Sequence, residues 1–347
     1  MITFGVDAHK RTHTIVAVDD LGRQVSIRVI GTTSSEHLDA LVWAKKHTPQ
    51  GQQRRWAIED CRHLSRRLES ELLVAGELVV RVPPKLMAHV RDSARTYGKS
   101  DPIDALAVAR AVLREPDLPA ARLDGPEREV RLLVDFRESL VAQRTSIVNR
   151  LRWHLHELDP GTEIRPRGFR RYKAYATVQA QLAERDGTVA RLARELCARG
   201  RELTEQIDAL EAEITALTQQ LAPTLMAIHG CGALTAAKIL GETAGIERFR
   251  SGDAYARHTG TAPLPVWSAN TARHRLSRTG NRQLNAAIHR IAVTQARGHQ
   301  PARQLIARRV EGGKSTRESL RILKRHLART VYQALRTDNQ GVQLTAA

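Results

Sequence analysis

The sequence predicts an N-terminal α/β domain followed by a mainly helical chain. Strand-like alternation and helix-like periodicity follow one another over residues 1 to about 118. From Val130 onward, apolar residues recur at helical spacing in long runs. A length of 347 residues and a hydrophobic fraction of 41% suffice for two or three domains with buried cores. We therefore expect domains at 1–118, 119–224 and 225–347.

The first domain is predicted to have the element order β-β-β-α-β-α-β-α. Turn signals at Asp19-Asp20 and Leu21-Gly22 indicate that its first three strands form an antiparallel start. This order resembles that of the ribonuclease-H-like (RuvC-like) fold, and the resemblance implies an active site that collects acids from the first strand, the fourth strand and a late helix. The predicted strands are 2–7, 14–18, 24–30, 56–59 and 78–82, and the predicted helices are about 35–46, 63–75 and 101–112.

Four acidic residues fall on those elements. Asp7 ends the first strand, Glu59 ends the fourth, and Asp101 and Asp104 open the last helix. Residues at i and i+3 share a helix face, so both helical carboxylates can point the same way. Such a group predicts a site for Mg²⁺, or Mn²⁺, beside a phosphodiester. The alternative is that Asp101 caps the helix and Asp104 completes a capping box, which leaves Asp7 and Glu59 without a role.

The charge of the chain predicts a polyanionic partner. Lys plus Arg number 55 and Asp plus Glu number 37, a formal net charge of +18. Residues 268–336 hold 16 Lys or Arg against two acids, Glu311 and Glu318, so this stretch is the expected nucleic-acid grip. A solvated basic surface without a ligand is the alternative.

Several classes of protein are disfavoured. The three cysteines lack metal-ligand spacing and even pairing, so neither a zinc site nor a disulfide framework is expected. The sequence begins in a strand pattern rather than a signal peptide, and it has no run of 18 apolar residues. We expect a cytoplasmic protein with no membrane partner.

The middle of the chain carries a heptad pattern. Its apolar residues step 4, 3, 4, 3, 4 through Leu203, Ile207, Leu210, Ile214, Leu217 and Leu221. This spacing predicts either a helical hairpin within one chain or a coiled coil between subunits, with the protein a dimer or tetramer.

Two glycine-containing segments are candidate nucleic-acid contacts. Gly230 and Gly232 precede a helix N-terminus, as in a helix-hairpin-helix that meets a DNA phosphate, although a simple glycine turn explains the pattern equally well. Gly312-Gly313-Lys314-Ser315 lacks the first glycine and the preceding strand of a phosphate loop. It is better interpreted as a basic turn in which Lys314 contacts a nucleic-acid backbone.

Ser268 is a candidate nucleophile. It ends a predicted stiff loop that begins at Gly260, and Arg273, Arg275 and Arg278 follow it. A serine hydroxyl needs a base or metal to remove its proton, and cations to hold the developing phosphorane charge. Most loop serines are structural, so the residue alone is weak evidence.

The combined motifs resemble those of the DEDD insertion-sequence transposases, also called bridge-RNA recombinases. The resemblance covers nearly the whole chain in the right order. The matching motifs are Val6-Asp7-x-His9-Lys10, the strand-ending Glu59, Lys99-Ser100-Asp101-Pro102-Ile103-Asp104-Ala105, Gly260-x-Ala262-Pro263 ahead of Ser268, and Arg278-x-Gly280-Asn281-Arg282.

The resemblance implies the roles of these residues. The four acids would hold Mg²⁺, and Ser268 would form a covalent phosphoserine link to DNA. Arg282 joins the candidate nucleic-acid contacts. Ala269 stands where family members commonly have glycine, and Ser277 is a nearby rival nucleophile. The implied partners are double-stranded DNA, as element ends and target, and a noncoding guide RNA encoded by the element.

Two rival functions stay open at the level of sequence. The first is a structure-selective nuclease resembling a junction resolvase, in which water replaces the serine. The second is a nucleic-acid binder without enzymatic activity, in which the acids are structural.

Overall fold

The computed structural model describes residues 1–60, 63–84, 86–87, 100–161, 167–268, 271–276 and 280–346. The chain divides into two compact units. The first is Met1–Asp124 with Arg248–Arg250, and the second is Gly125–Glu247 with Ser251–Ala347.

A five-stranded mixed sheet forms the centre of the first unit. Its spatial order is β3-β2-β1-β4-β5. β1 pairs antiparallel with β2 and β2 with β3, whereas β4 runs parallel to both β1 and β5. The predicted order of the strands along the chain and the antiparallel start are therefore confirmed. The strands are β1 Ile2–Ala8, β2 His13–Val18, β3 Gln24–Ile30, β4 Arg54–Glu59 and β5 Leu78–Val82.

Helices cover both faces of this sheet. α1 (Ser34–Lys46) and α2 (Arg66–Val74) bury one face, where Phe4 packs against Trp43 and Trp56. α3 (Asp101–Arg114) covers the other face with Ala105, Val108, Ala109, Ala111 and Val112. All seven residues of β1 are buried, as expected for a strand covered on both sides.

α3 packs on β1 at a glycine. A Cβ atom built on Gly5 would overlap the Ala105 carbonyl oxygen and lie 2.6 Å from the Ala109 nitrogen. No side chain fits between the strand and the helix at this point. Gly5 thus allows α3 to pack closely on β1 at Ala105 and Ala109.

Two long helices dominate the first part of the second unit. α4 (Glu127–Leu158) and α6 (Thr188–Leu221) form an antiparallel hairpin, and α5 (Tyr172–Ala183) packs beside them after a short 3₁₀ turn, Gly168–Arg170. Val130 and Val134 pack with Ile214, and Leu140 packs with Leu203 and Ile207. The heptad stripe is therefore buried on α4 of the same chain, which is the first of its two predicted alternatives.

The described residues of the remainder of the second unit form six helices and a β-hairpin. Its helices are α7 Pro223–Met226, α8 Ala233–Thr243, α9 Gly252–His258, α10 Arg282–Gly298, α11 Gln300–Glu311 and α12 Thr316–Ala346. β6 (Pro263–Ser268) pairs antiparallel with β7 (Thr271–Leu276). The prediction of a loop up to Ser268 was therefore wrong. Both strands of a two-stranded sheet are edges, where the missing N–H groups of Pro263 and Pro265 are tolerated.

Within the described ranges, no helix is both long enough and apolar enough to cross a membrane.

Candidate functional site

Asp7 and Glu59 lie at the same edge of the sheet. β1 and β4 are adjacent and parallel, and Val6 pairs in register with Ile58. The next residue along each strand is an acid, so Asp7 and Glu59 occupy neighbouring positions at the carboxyl ends of the two strands. Asp7 is 5% exposed, and Glu59 is partly buried.

α3 contributes the other two acids from its first turn. The N-cap is Ser100, with extended backbone, and Asp101 and Asp104 follow inside the helix. The interpretation of Asp101 as the N-cap was therefore wrong. Asp101 is exposed, whereas Asp104 is 5% exposed. Pro102 sits within the first turn, where its missing N–H costs nothing.

The electrostatics of Asp7 link the strand to the helix. Burial raises the pKa of the Asp7 carboxyl above its usual value, and the negative charges of Asp104 and Asp101 raise that pKa further. Contact with His9 lowers it, without cancelling the other effects. Three carboxylates thus meet at one end of β1, where they repel one another.

His9 is a site residue that the sequence prediction did not include. Its Nε2 lies 3.1 Å from Asp7 Oδ2 and 3.4 Å from Asp101 Oδ1. One ligand atom from each of Asp7, His9 and Asp101 falls within a group whose members all lie within 4.8 Å of one another. The spacing Asp7-x-His9 was the available signal, because alternate residues of an extended chain point to the same side.

The donor set fits a divalent cation. Oxygens from Asp7 and Asp101 lie close enough to share one ion, and the buried Asp104 contributes negative charge beside them. Carboxylate oxygens are the ligands that Mg²⁺ and Mn²⁺ prefer, and a cation would relieve the repulsion between them. Glu59 adjoins this group through the register of β1 and β4.

Ser268 belongs to the second unit. It is the last residue of β6, and its Cα pairs with that of Thr271. Arg273 and Arg275 lie on β7, opposite Val266 and Leu264. The candidate residues Arg278, Ala269 and Ser277 lie outside the described residues.

A polar network holds the base of this hairpin. The Asn281 backbone N–H donates to the His258 carbonyl, at 2.6 Å, and a Cβ on Gly280 would overlap the Gly260 backbone. Asn285 Nδ2 donates to the carbonyls of Thr259 and Gly260, at 2.9 and 3.1 Å. Two chain segments that flank β6 and β7 are thus fixed together.

The buried side chains of Lys324 and Glu242 form hydrogen bonds with these two asparagines. Lys324 Nζ donates to Asn285 Oδ1, at 2.5 Å, and Asn281 Nδ2 donates to Glu242 Oε2, at 2.8 Å. Burial lowers the pKa of Lys324 to about 8, with a smaller contribution from Arg321. Asn281 also caps α10 by accepting from the N–H groups of Gln283 and Leu284.

The other candidate contacts lie at helix ends or turns. Gly230 has a φ of +84°, and Gly232 is the N-cap of α8. A Cβ on Gly230 would lie 3.1 Å from Thr294 Cβ, so this glycine also serves packing against α10. Arg282 is exposed at the start of α10, and Lys314 is exposed between α11 and α12.

Family models match most of the chain. A model for DEDD transposases of IS110 elements, described as "Transposase", matches residues 4–160. A second model, described as "Transposase IS116/IS110/IS902 family", matches residues 222–307. Together the two models cover more than half of the chain.

Relatives from insertion elements align along nearly its full length. An uncharacterized 44.8 kDa protein of insertion element IS116 from Streptomyces clavuligerus is 25% identical, over 94% of this chain and 92% of the relative. An uncharacterized 42 kDa protein of IS900 from Mycobacterium paratuberculosis is 26% identical, over 93% of each chain.

Among solved structures, one match is T. thermophilus RuvC in complex with a Holliday junction substrate. It is 16% identical, with a TM-score of 0.27, and covers 35% of this chain and 99% of RuvC.

Proposed function

Because the chain belongs to the DEDD insertion-sequence transposase family and is a DNA transposase, we propose that it cuts and rejoins DNA through a serine nucleophile and a metal-binding tetrad. Asp7, Glu59, Asp101 and Asp104 form the tetrad, and Ser268 is the nucleophile. The observation that carries the proposal is that ligand atoms of Asp7 and Asp101 lie within 4.8 Å of one another, with the buried Asp104 carboxyl raising the pKa of Asp7 beside them.

In the proposed reaction, Ser268 Oγ forms a bond to the scissile phosphorus while the bond from phosphorus to a deoxyribose oxygen breaks. The serine hydroxyl proton passes to water, and the departing oxygen takes a proton from water. The product is a phosphoserine link, which a deoxyribose hydroxyl reverses in the rejoining step. When bound, Mg²⁺ supplies Lewis-acid stabilisation of the charge that develops on the phosphate.

Each residue has a separate task in this scheme. Asp7 and Asp104, which are buried, fix the position of the cation, and the exposed Asp101 faces the substrate side. Arg273, Arg275 and Arg278 follow the serine in the chain and would balance the phosphate charge. Stable placement of Ser268 depends on the asparagine network at the base of its hairpin.

The test is a trapped covalent complex between the protein and DNA from the element ends. With Mg²⁺ present, Ser268→Ala should lose the adduct and strand cleavage together. Ser139→Ala removes an exposed serine from α4 and should retain both. Cleavage by Ser268→Ala without an adduct would instead support a water nucleophile, as in a junction-resolvase-like nuclease.

One observation favours the second candidate function, a nuclease that uses water as its nucleophile. All four acids belong to Met1–Asp124, whereas Ser268 belongs to the second unit. A cluster built within one unit can activate water without the serine. If neither Ser268 nor Asp104 affects cleavage, both proposals fail.

The assignment of the tetrad and the serine to different units also bears on assembly. We propose that a dimer or tetramer pairs the tetrad of one subunit with Ser268 of another. Mixing Asp104→Asn protein with Ser268→Ala protein should restore activity in the heteromer. Absence of recovery in heteromers of verified composition would contradict the composite site.

The proposed domain roles follow the same division. Residues 1–118 bind metal, residues 119–224 form a helical hairpin and dimerisation region, and residues 225–347 carry the serine.

We also propose that a noncoding RNA from the element guides the choice of DNA. The support is the resemblance to bridge-RNA recombinases. RNA should co-purify with the protein when cells carry the whole element, and sequencing should show enrichment of its noncoding region. Equal recovery of unrelated cellular RNA would contradict RNA guidance.

A further inference from the structure

α12 carries a row of arginines at successive helical turns. Arg317, Arg321, Arg325 and Arg329 are spaced four residues apart, and Arg336 follows seven residues later. At about 100° per residue, all five fall within about 120° of the helix circumference. The row extends over about 28 Å, at a rise of 1.5 Å per residue. We call these five residues the arginine row.

The row is mostly exposed and mostly without acidic partners. Arg317, Arg321, Arg329 and Arg336 are exposed, and no ion pair is found for these four among the described residues. Only Arg325 is paired, with Asp253 of α9. Glu318 lies between Arg317 and Arg321, and its carboxylate accepts hydrogen bonds from the Ser315 N–H and hydroxyl. These bonds, with smaller contributions from the charges of Lys314 and Arg321, lower the pKa of the Glu318 carboxyl.

Like charges at i and i+4 destabilise a helix, so this arrangement works against the folding of α12. Two exposed arginines of α6 avoid such repulsion because each has a glutamate four residues later. There Arg191 pairs with Glu195 and Arg201 pairs with Glu205, each four residues on. The arginine row has arginine, rather than glutamate, at the corresponding positions up to Arg329.

α12 is firmly anchored in the second unit. Leu323 and Leu327 are buried on the side opposite the arginine row, whereas Tyr332 and Leu335 are buried within its arc, near the C-terminal end. Asp338 is 5% exposed and accepts hydrogen bonds from the backbone N–H groups of Thr224 and Leu225, at 2.9 and 3.0 Å. The arginine row therefore projects from a fixed helix, and a ligand that binds it pays little ordering entropy at the backbone.

We propose that the arginine row is a docking surface for the phosphate backbone of duplex DNA. The partner must be a long polyanion, since five cations extend over about 28 Å, and duplex DNA presents one charge for every ~1.7 Å of its axis. Guanidinium groups suit phosphate because they donate in a planar fork. The proposal deepens the proposed function and rests on it for the choice of DNA as the polyanion.

Phosphate contacts position the duplex without reading its sequence. Such a surface gives affinity that is independent of sequence and strongly dependent on salt. Bound phosphates would also neutralise the repulsion along the row. The same residues should then favour DNA binding and disfavour the stability of the free protein.

The experiment measures equilibrium binding of a random-sequence duplex with a chelator present, so that no chemistry occurs. The test variant is Arg321→Gln with Arg329→Gln. The matched control is Arg191→Gln with Arg201→Gln, which makes the same change of charge on exposed helical arginines that have acidic partners.

The test variant should bind on the order of ten- to a hundredfold more weakly at 0.1 M salt. The slope of log K against log salt should become shallower by about 1.8, because each lost phosphate contact contributes about 0.9. The control should keep the wild-type slope. In the absence of DNA, the thermal midpoint of the test variant should equal or exceed that of the wild type.

Three results would overturn the proposal. The first is an unchanged salt slope in a test variant that is folded. The second is a lower midpoint in the free protein together with weaker binding, which would indicate a structural role. The third is tighter binding of an RNA duplex of the same sequence than of the DNA duplex, together with an equal loss of affinity for both duplexes in the test variant.

This readout separates the inference from the proposed chemistry. If the wild type forms no adduct through Ser268 but the test variant shows the expected change in salt slope, the arginine row is supported and the proposed chemistry is not. If the wild type forms the adduct and the test variant keeps the wild-type salt slope, the proposed chemistry is supported and the arginine row is not.

Discussion

His9 Nε2 lies 3.1 Å from Asp7 Oδ2. Burial raises the pKa of the Asp7 carboxyl, and this contact lowers it in part. The imidazole also lies 3.4 Å from Asp101 Oδ1. His9 therefore bridges the strand acid and the helix acid on the exposed side of the cluster. A nitrogen ligand at this position would broaden the choice of metal beyond that of carboxylates alone.

We expect His9→Ala to change metal preference more than metal binding as such. Carboxylate oxygens suit Mg²⁺, whereas imidazole favours transition metals. Affinity for Mn²⁺ should fall on the order of ten- to a hundredfold, as for other groups that tune a metal site, and affinity for Mg²⁺ should fall less. Calorimetric titration with each ion measures both. Equal losses for the two ions would argue against a nitrogen ligand.

Asp104→Asn should stabilise the metal-free protein and abolish its stabilisation by metal. The substitution preserves shape but removes a buried negative charge that repels Asp7. In the wild type, metal at 100 times its Kd should add about 2.7 kcal/mol to the free energy of unfolding. Urea unfolding with metal and with chelator measures the difference. Asp39→Asn, at an exposed position on α1, should behave as the wild type; a metal effect that survives in Asp104→Asn would contradict the assignment.

Gly5→Ala should loosen the contact between β1 and α3. The added methyl would overlap the Ala105 carbonyl and approach the Ala109 Cβ to 2.7 Å, so the helix must shift. We expect a loss of about 1–3 kcal/mol in the free energy of unfolding, together with weaker metal binding. Gly298→Ala is the control, because a Cβ there meets no atom within 4 Å. Unchanged metal affinity in Gly5→Ala would show that the site tolerates movement of α3.

His13 should make the stability of the protein fall in mild acid. It is 1% exposed, and burial, followed by the nearby His37 and His9, lowers its pKa to about 4. The unfolded chain takes up the proton near pH 6.5 and the folded chain only near pH 4, so stability present above pH 6.5 is lost between these values.

Between pH 8 and pH 5 this residue should account for a loss of about 2 kcal/mol in the free energy of unfolding. His13→Gln should show a correspondingly smaller loss in urea unfolding over that range. His326→Gln, at an exposed position on α12, should keep the wild-type profile. An identical pH dependence in His13→Gln and wild type would contradict this prediction.

Asn285 and Lys324 should be energetically coupled. Asn285→Ala removes the partners of Lys324 Nζ and of the Thr259 and Gly260 carbonyls, which should cost about 1–3 kcal/mol. Lys324→Met leaves Asn285 Oδ1 without its donor. The double variant leaves only the Thr259 and Gly260 carbonyls unsatisfied, which is fewer groups than the two single variants leave together. It should therefore be more stable than the sum of the two single losses predicts. Strict additivity in a double-mutant cycle would rule out the coupling.

The sequence predicted those site residues whose positions depend only on their near neighbours in the chain. Asp7 and Glu59 end apolar strands, and Asp101 and Asp104 share one turn of a helix, so their placement follows from periodicity and turn signals in the sequence. His9 was missed because its role depends on Asp101, a residue 92 positions away in the numbering. The hairpin of β6 and β7 was missed because proline is uncommon in strands, and Pro263 and Pro265 lie within β6.

Sequence was enough to predict the elements of the first unit and their order, because alternation, helical spacing and turn residues act over a few neighbours. How those elements meet depends on packing between distant parts of the chain. The close approach at Gly5 holds α3 against β1 through Ala105 and Ala109. Packing on α4 buries the heptad stripe of α6 within the chain. Both outcomes depend on which surfaces fit together across long stretches of chain, and local preference carries no information about that fit.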